Sequence, residues 1–119
     1  MELTYKDRSE FLRGFLVLVK KDNKVCEFEK NMAMVVGKYF GFAKEFCEES
    51  INALLENNFI SEKPPIFSNK IVAEFFVKES YKILNQIHPL THNKEQWLLK
   101  TAEANQVKHI ILKQNINLN

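Results

Sequence analysis

Residues 11–42 read FLRGFLVLVKKDNKVCEFEKNMAMVVGKYFGF, and this stretch decides the fold. Phe11, Phe15, Leu18 and Val19 recur at intervals of three and four, the spacing of one face of an α-helix. A polar break around Lys20 to Lys24 follows. Phe28, Met32, Val35, Val36 and Tyr39 then form a second stripe with the same period. Gly41, between two phenylalanines, is suited to the left-handed backbone that closes a helix. The stretch therefore predicts a helix, a short polar loop and a second helix.

The same period continues along the chain. Phe46, Ser50, Leu54 and Leu55 make a third stripe, with Cys47 and Ile51 at its edge. Val72, Phe75, Phe76, Ile83, Leu84 and Ile87 make a fourth, and Trp97, Leu98, Thr101 and Ala102 a fifth. Three glycines and three prolines are too few for a chain built from many β-turns. The expectation is an all-α bundle of about six helices in one domain spanning 1–119, with helices near 7–21, 27–40, 44–57, 69–88, 93–105 and 107–113. Glu45, Glu48 and Glu49 lie in the first turns of the third, where the helix dipole favours negative charge. Ser68 is the expected N-cap of the fourth. The connection Asn57 to Phe67 contains Pro64-Pro65, which removes a donor and holds the backbone extended, so the link should be stiff.

Composition narrows the functional classes. The chain has 119 residues, a net charge of +2 and ten phenylalanines, which suits an ordinary globular domain with an aromatic core. That charge is too small to imply a nucleic-acid partner, and the basic residues of the first helix are interleaved with acids. The longest apolar run, Phe15 to Val19, is far too short to span a bilayer. The N-terminus lacks the apolar core of a signal peptide. Cys26 and Cys47 have no CxxC spacing, so two free thiols in a reducing cytosol are expected.

Sliding the chain along itself until Phe15 falls on Tyr81 aligns its two ends. In that register Leu18 falls on Leu84, Asp22 on His88, Glu29 on Glu95, Met32 on Leu98 and Val36 on Ala102. In both loops a glutamate follows a candidate N-cap by three positions, Cys26 then Glu29 and His92 then Glu95, which is the Glu half of a capping box. The pattern suggests two helical hairpins related by a pseudo-two-fold.

The first hairpin resembles that of the TerB-like family, named for tellurite-resistance proteins. That family shows an apolar helix, a loop of the kind D-G-x-V-S-x-x-E and a helix ending in L-G-L. Here the loop runs from Asp22 through Asn23, Val25 and Cys26 to Glu29, and the ending is Phe40-Gly41-Phe42. The segment ESYKILNQIHPLTHNKEQWLLKTAEANQV (79–107) resembles the closing hairpin, with Glu95 and Trp97 opening the last long helix. The resemblance covers about residues 8–107. Asn23 replaces the usual Gly, Cys26 the usual Ser, Gln106 a frequent Gly, and His88 stands at an acidic position. The resemblance implies a non-enzymatic cytoplasmic domain acting in stress response or as a protein-interaction module, with a protein partner or a second copy of itself. Some family members resemble metal-binding proteins through acids in these two loops, which would make the chain a divalent-cation sensor, and this chain has fewer acids there.

Four candidate sites follow from residue types. Asp22, Glu27 and Glu29, with Glu95 from the other hairpin, form an oxygen set for a hard divalent cation; the competing reading is helix capping beside a solvated turn. His88, His92 and Glu95 form a three-ligand set for zinc, although Pro89 interrupts the helical spacing, and the competing reading is two helix ends. Cys26 at a helix N-terminus has the surroundings of a reactive thiol, with Cys47 as the alternative nucleophile, which would suit a thiol-based redox or metalloid-responsive protein; the competing reading is an inert cysteine. Phe59, Ile60, Ile66 and Phe67 flank the proline link as either core or an apolar partner surface, and the tail Val107 to Asn119 adds Ile110, Ile111 and Leu112. No nucleophile, base and orienting group assemble from these residues, so neither an enzyme nor a bound cofactor is expected beyond a divalent cation at these loops.

Overall fold

The computed structural model describes residues 2–20, 27–55, 60–87 and 90–110. All regular structure among them is helical: α1 Tyr5–Val19, α2 Glu27–Tyr39, α3 Lys44–Leu55, α4 Lys70–Ile87 and α5 His92–Ala104. The described residues therefore hold five helices rather than six. A further turn starts at residues 109–110, and the rest of the segment expected near 107–113 lies outside the described residues. The chain divides into two units, one formed by Arg8–Lys63 and the other by Pro64–Asn119 together with the residues up to Asp7.

Helix α1 starts two positions earlier than its apolar pattern suggests. The reason is a capping box in Thr4-Tyr5-Lys6-Asp7. Thr4 Oγ1 accepts from the Asp7 N–H at 3.0 Å, and Asp7 Oδ2 accepts from the Thr4 N–H at 3.0 Å. Both groups would otherwise leave free donors at the helix start. Downstream, Phe11, Leu12 and every residue from Phe15 to Lys20 are buried, so the C-terminal part of α1 is enclosed beyond a single stripe.

Within Arg8–Lys63, α2 packs against α3. Phe11 lies 4.9 Å from the Phe40 ring and 5.9 Å from Phe42, the latter edge-on. The buried face of α2 is Glu29, Ala33, Val36 and Gly37. This corrects the stripe drawn above, because Val35 and Tyr39 are 67% and 69% exposed. In α3 the buried residues are Cys47 and Ile51, placed at the edge by the apolar pattern, while Phe46, Ser50 and Leu54 are half-buried. Gly37 explains the close fit of the two helices. A Cβ there would stand 2.5 Å from Cys47 Sγ.

The link after α3 is held by side chains at Ile60 and beyond. Arg13 donates to the carbonyls of Ser61 and Lys63 at 2.7 and 2.8 Å, and buried Lys20 pairs with Glu62 at 2.8 Å.

In the other unit, α4 packs against α5. Phe76 is enclosed, 5.1 Å from the Phe67 ring and edge-on to Trp97 at 6.5 Å. Asn105 holds the proline link to this unit. Its amide donates to Pro65 O at 2.8 Å and its carbonyl accepts from the Phe67 N–H at 3.0 Å. Ser68 does not cap α4. Asn69 does, accepting the Val72 N–H at 3.0 Å, while Ser68 donates through its N–H and hydroxyl to Asp7 at 2.8 and 2.6 Å. Nor does His92 cap α5. Thr91 takes that place, accepting from the Lys94 N–H, and Cys26 lies outside the described residues.

Helices α2 and α5 end alike. Gly41 has φ +80° and Gln106 φ +60°. The Gly41 N–H bonds to Lys38 O and the Phe42 N–H to Gly37 O; the Gln106 N–H bonds to Glu103 O and the Val107 N–H to Ala102 O. Both are Schellman endings. The step from Gly41 to Gln106 is also the step from Tyr5 to Lys70, which start α1 and α4, and from Glu27 to His92, which start α2 and α5. It is shorter by a single position than the register of apolar matches. Gln106 occupies a backbone that glycine adopts without a Cβ penalty. Gln106→Gly is therefore expected to raise stability by about 1 kcal/mol, the penalty removed less the extra freedom glycine gains when unfolded. Gly41→Ala, with open space around its Cβ, is expected to lower it by a similar amount for the backbone reason alone. Thermal unfolding of the two variants checks the pair, and shifts of the same sign would refute it.

Candidate functional site

The residues expected to hold a cation do not assemble into a ligand set among the described residues. Asp22 and His88 lie outside them. Glu27 is exposed in the first turn of α2, where its carboxylate faces Lys30 at 3.8 Å. Glu29 is buried in the same first turn. His92 is exposed at the start of α5, and Glu95 is half-buried in the first turn. No group of three or more His, Cys, Asp or Glu able to hold a metal occurs among the described residues. Glu27, Glu29 and Glu95 all occupy first turns, where a carboxylate offsets the helix dipole.

Cys26 lies outside the described residues. Cys47 is a free thiol, 1% exposed, and burial followed by the charge of Glu48 pushes its pKa up, away from the reactive thiolate. Of the four residues flanking the proline link, Ile60 and Phe67 are core, Ile66 is 54% exposed, and Phe59 is outside the described residues. Ile110 is buried, and Ile111 and Leu112 lie outside the described residues.

Among the described residues, a concave surface lies between α2 and α3. Met34, Val35, Lys38, Phe42, Lys44 and Cys47 line a groove of about 510 Å³. Phe42 and Cys47 are buried and form its floor; Val35, Lys38 and Lys44 are exposed and form its rim. Gly37 determines the depth, because only a residue without a Cβ lets Cys47 settle against the α2 backbone. The left-handed turn at Gly41 then directs Phe42 back under α2. A second hollow of about 400 Å³ shares Met34 and Lys44 and continues past Glu27, Lys30, Glu48 and Ile51. The first hollow thus has cationic rims and no acid in its lining, whereas the second alternates in charge. Tyr39 does not line the groove; it is exposed on α2, with its ring edge-on to Phe40 at 4.9 Å.

Apolar periodicity did not reveal this site, because it assigned Val35 and Tyr39 to the core. Their exposure depends on which side of α2 receives α3, and the fit there is of Cys47 against Gly37, a residue that gives almost no hydrophobic signal. No helix among the described residues is long and apolar enough to cross a membrane. Compared with known proteins, the chain matches no family model, no curated protein and no solved structure.

Proposed function

We propose that this chain is a non-enzymatic helical domain of TerB-like type, built from two copies of one helix–loop–helix, and that it works as a protein-interaction module, in the cytoplasm and in a stress response. The observation that supports an interaction role is the α2–α3 groove, with an apolar floor of Phe42 and Cys47 and exposed Val35 at its rim. A concave apolar surface left open to solvent in this way suits a partner. The second copy supplies an internal control. The step that carries Gly41 onto Gln106 carries Val35 onto Lys100, which is exposed.

The test is site-specific photo-crosslinking in cells from position 35 and, separately, from position 100. A discrete protein adduct from position 35 alone is the expected result. No adduct, or the same adducts from both positions, would refute an interaction role for the groove.

An interaction module needs no cation, so on this reading chelator-treated protein is expected to keep its melting temperature when millimolar calcium or magnesium or micromolar zinc is added. A cation bound to the folded state at about 100 times its dissociation constant would add about 2.7 kcal/mol. For a domain of this size that is a shift of several degrees. Such a shift, abolished by Asp22→Ala or by His88→Ala, would reinstate a cation-sensing role.

A further inference from the structure

We infer that the α2–α3 groove binds a small apolar carboxylate, with its acid group at the start of α3 and its apolar body on the floor. It is an occupant distinct from the protein partner proposed above, and it is held whether or not a protein docks over it.

Size sets the class of occupant. Helix α2 contributes only Met34, Val35 and Lys38 to the lining, a span of about 6 Å at the rise of an α-helix. That is about one turn, too short to seat a partner helix. The volume of about 510 Å³ falls within the roughly 300–1,000 Å³ of small-molecule sites. Such sites are mostly apolar, with a few polar groups that fix the orientation of the ligand. Here Met34, Val35, Phe42 and Cys47 supply the apolar part, and Lys38 and Lys44 are the polar groups.

Charge sets the sign of the ligand. No acid lines this hollow. Lys38 is exposed and forms no ion pair with any described residue. Lys44 lies 3.8 Å from Glu48 with both side chains at least half exposed, a pair of little strength. A single carboxylate needs a single cation, and Lys38 alone meets that need.

The start of α3 acts in the same direction. Lys44 is its first residue. Ala43, just before it, offers no side chain to accept the N–H groups that a helix start leaves free. The positive end of the α3 dipole therefore lies on the same rim as the two lysines. Glu45, the acid of this first turn, does not line the groove. An anion at this end of the groove meets a cationic side chain and a helix N-terminus together. The rest of the lining is apolar and has no counterpart for a second charge, which makes the ligand a monoanion.

The experiment is an amide NMR titration of the full-length chain with hexanoate, octanoate and decanoate, each below its micelle concentration. Saturable shifts are expected at Met34 to Lys38 and at Phe42 to Cys47. Affinity is expected to rise with chain length, by up to about fourfold per buried methylene. Decanol and decylammonium are expected to bind more weakly than decanoate, and Lys38→Glu to weaken decanoate about fivefold or more. Val35→Asp is expected to weaken all three acids. Both substitutions are at exposed positions, and unchanged melting would establish that the variants fold. Decanol or decylammonium binding as tightly as decanoate would overturn the anionic class. Shifts that do not saturate, that spread over both units, or that are unchanged in both variants would overturn the site. Decanoate binding without a crosslinked adduct from position 35 would support the carboxylate site and sink the interaction role, and an adduct without decanoate binding would do the reverse.

Discussion

Phe76→Ala is expected to cost about 3–5 kcal/mol, the range for truncating a fully enclosed phenylalanine. The side chain has no exposed surface, and its ring meets Phe67 and the edge of Trp97. Removing it leaves a cavity that the two neighbours can close only by leaving their own contacts, and aromatic pairs of this kind add about 0.5–1.5 kcal/mol beyond burial. Phe67 is also held by Asn105 through its backbone N–H, which limits how far it can move into the space. Total stability for a domain is typically about 5–15 kcal/mol, so the variant would be left near the edge of folding. Phe11, which stands to Phe76 as Gly41 stands to Gln106 and is equally enclosed, is expected to behave the same way against Phe40 and Phe42. Phe75, adjacent but half-buried, should lose far less. Urea titration of the three alanine variants measures this, with the midpoint moving and the slope constant. If Phe75→Ala proved as costly as Phe76→Ala, the assignment of the buried face of α4 would be wrong.

How far the sequence could be read depends on what each residue signals locally. Apolar spacing located all five helices among the described residues, and the expected start of α2 at residue 27 is where the helix begins. Gly41 was legible as a left-handed ending because glycine there has a single physical reason. The direction in which a helix faces was less legible. Met34, Val35 and Val36 are consecutive apolar residues, and hydrophobicity cannot say which of them meets α3. In the structure Met34 shares the α2–α3 groove with Lys44 and Cys47, Val36 is buried, and Val35 lies on the surface. The caps failed for another reason. Ser68 is a good N-cap by type, but its hydroxyl is taken by Asp7, far away in sequence, so the neighbouring Asn69 caps instead. The groove depends on the helix-facing effect and therefore had no signature of its own. Acids in first turns read alike in sequence whether they hold a cation or offset the helix dipole, and Glu27, Glu29 and Glu95 sit at such helix starts.

That Asp7–Ser68 contact gives the second large effect, which depends on pH. Asp7 is buried, and burial alone would raise its carboxyl pKa. The hydrogen bonds from the Ser68 hydroxyl and N–H and from Thr4 outweigh burial and hold it below the ordinary value of 3.8. A carboxylate whose pKa is lower folded than unfolded stabilises the fold fully above the unfolded value. That contribution is lost as pH falls from about 4 through the lower folded value, because the proton then binds the unfolded chain first. Asp7→Asn keeps the shape but points an amide N–H₂ at Ser68 or Thr4, both of which donate. The expected loss at pH 7 is about 2–3 kcal/mol, the scale of hydrogen bonds to a charged acceptor plus a donor left unsatisfied. Ser68→Ala should lose less, since the Thr4 bonds and the Ser68 N–H remain. Chemical denaturation of wild type and Asp7→Asn at pH 7, 5 and 2.5 makes the comparison. The gap is expected to hold from pH 7 to 5 and to narrow by pH 2.5, where the wild type has lost its charged acceptor and the variant never had one. A gap as wide at pH 2.5 as at pH 7 would mean that Asp7 acts by shape rather than by charge. The closure it makes between the start of α1 and the start of α4 would then be ordinary packing.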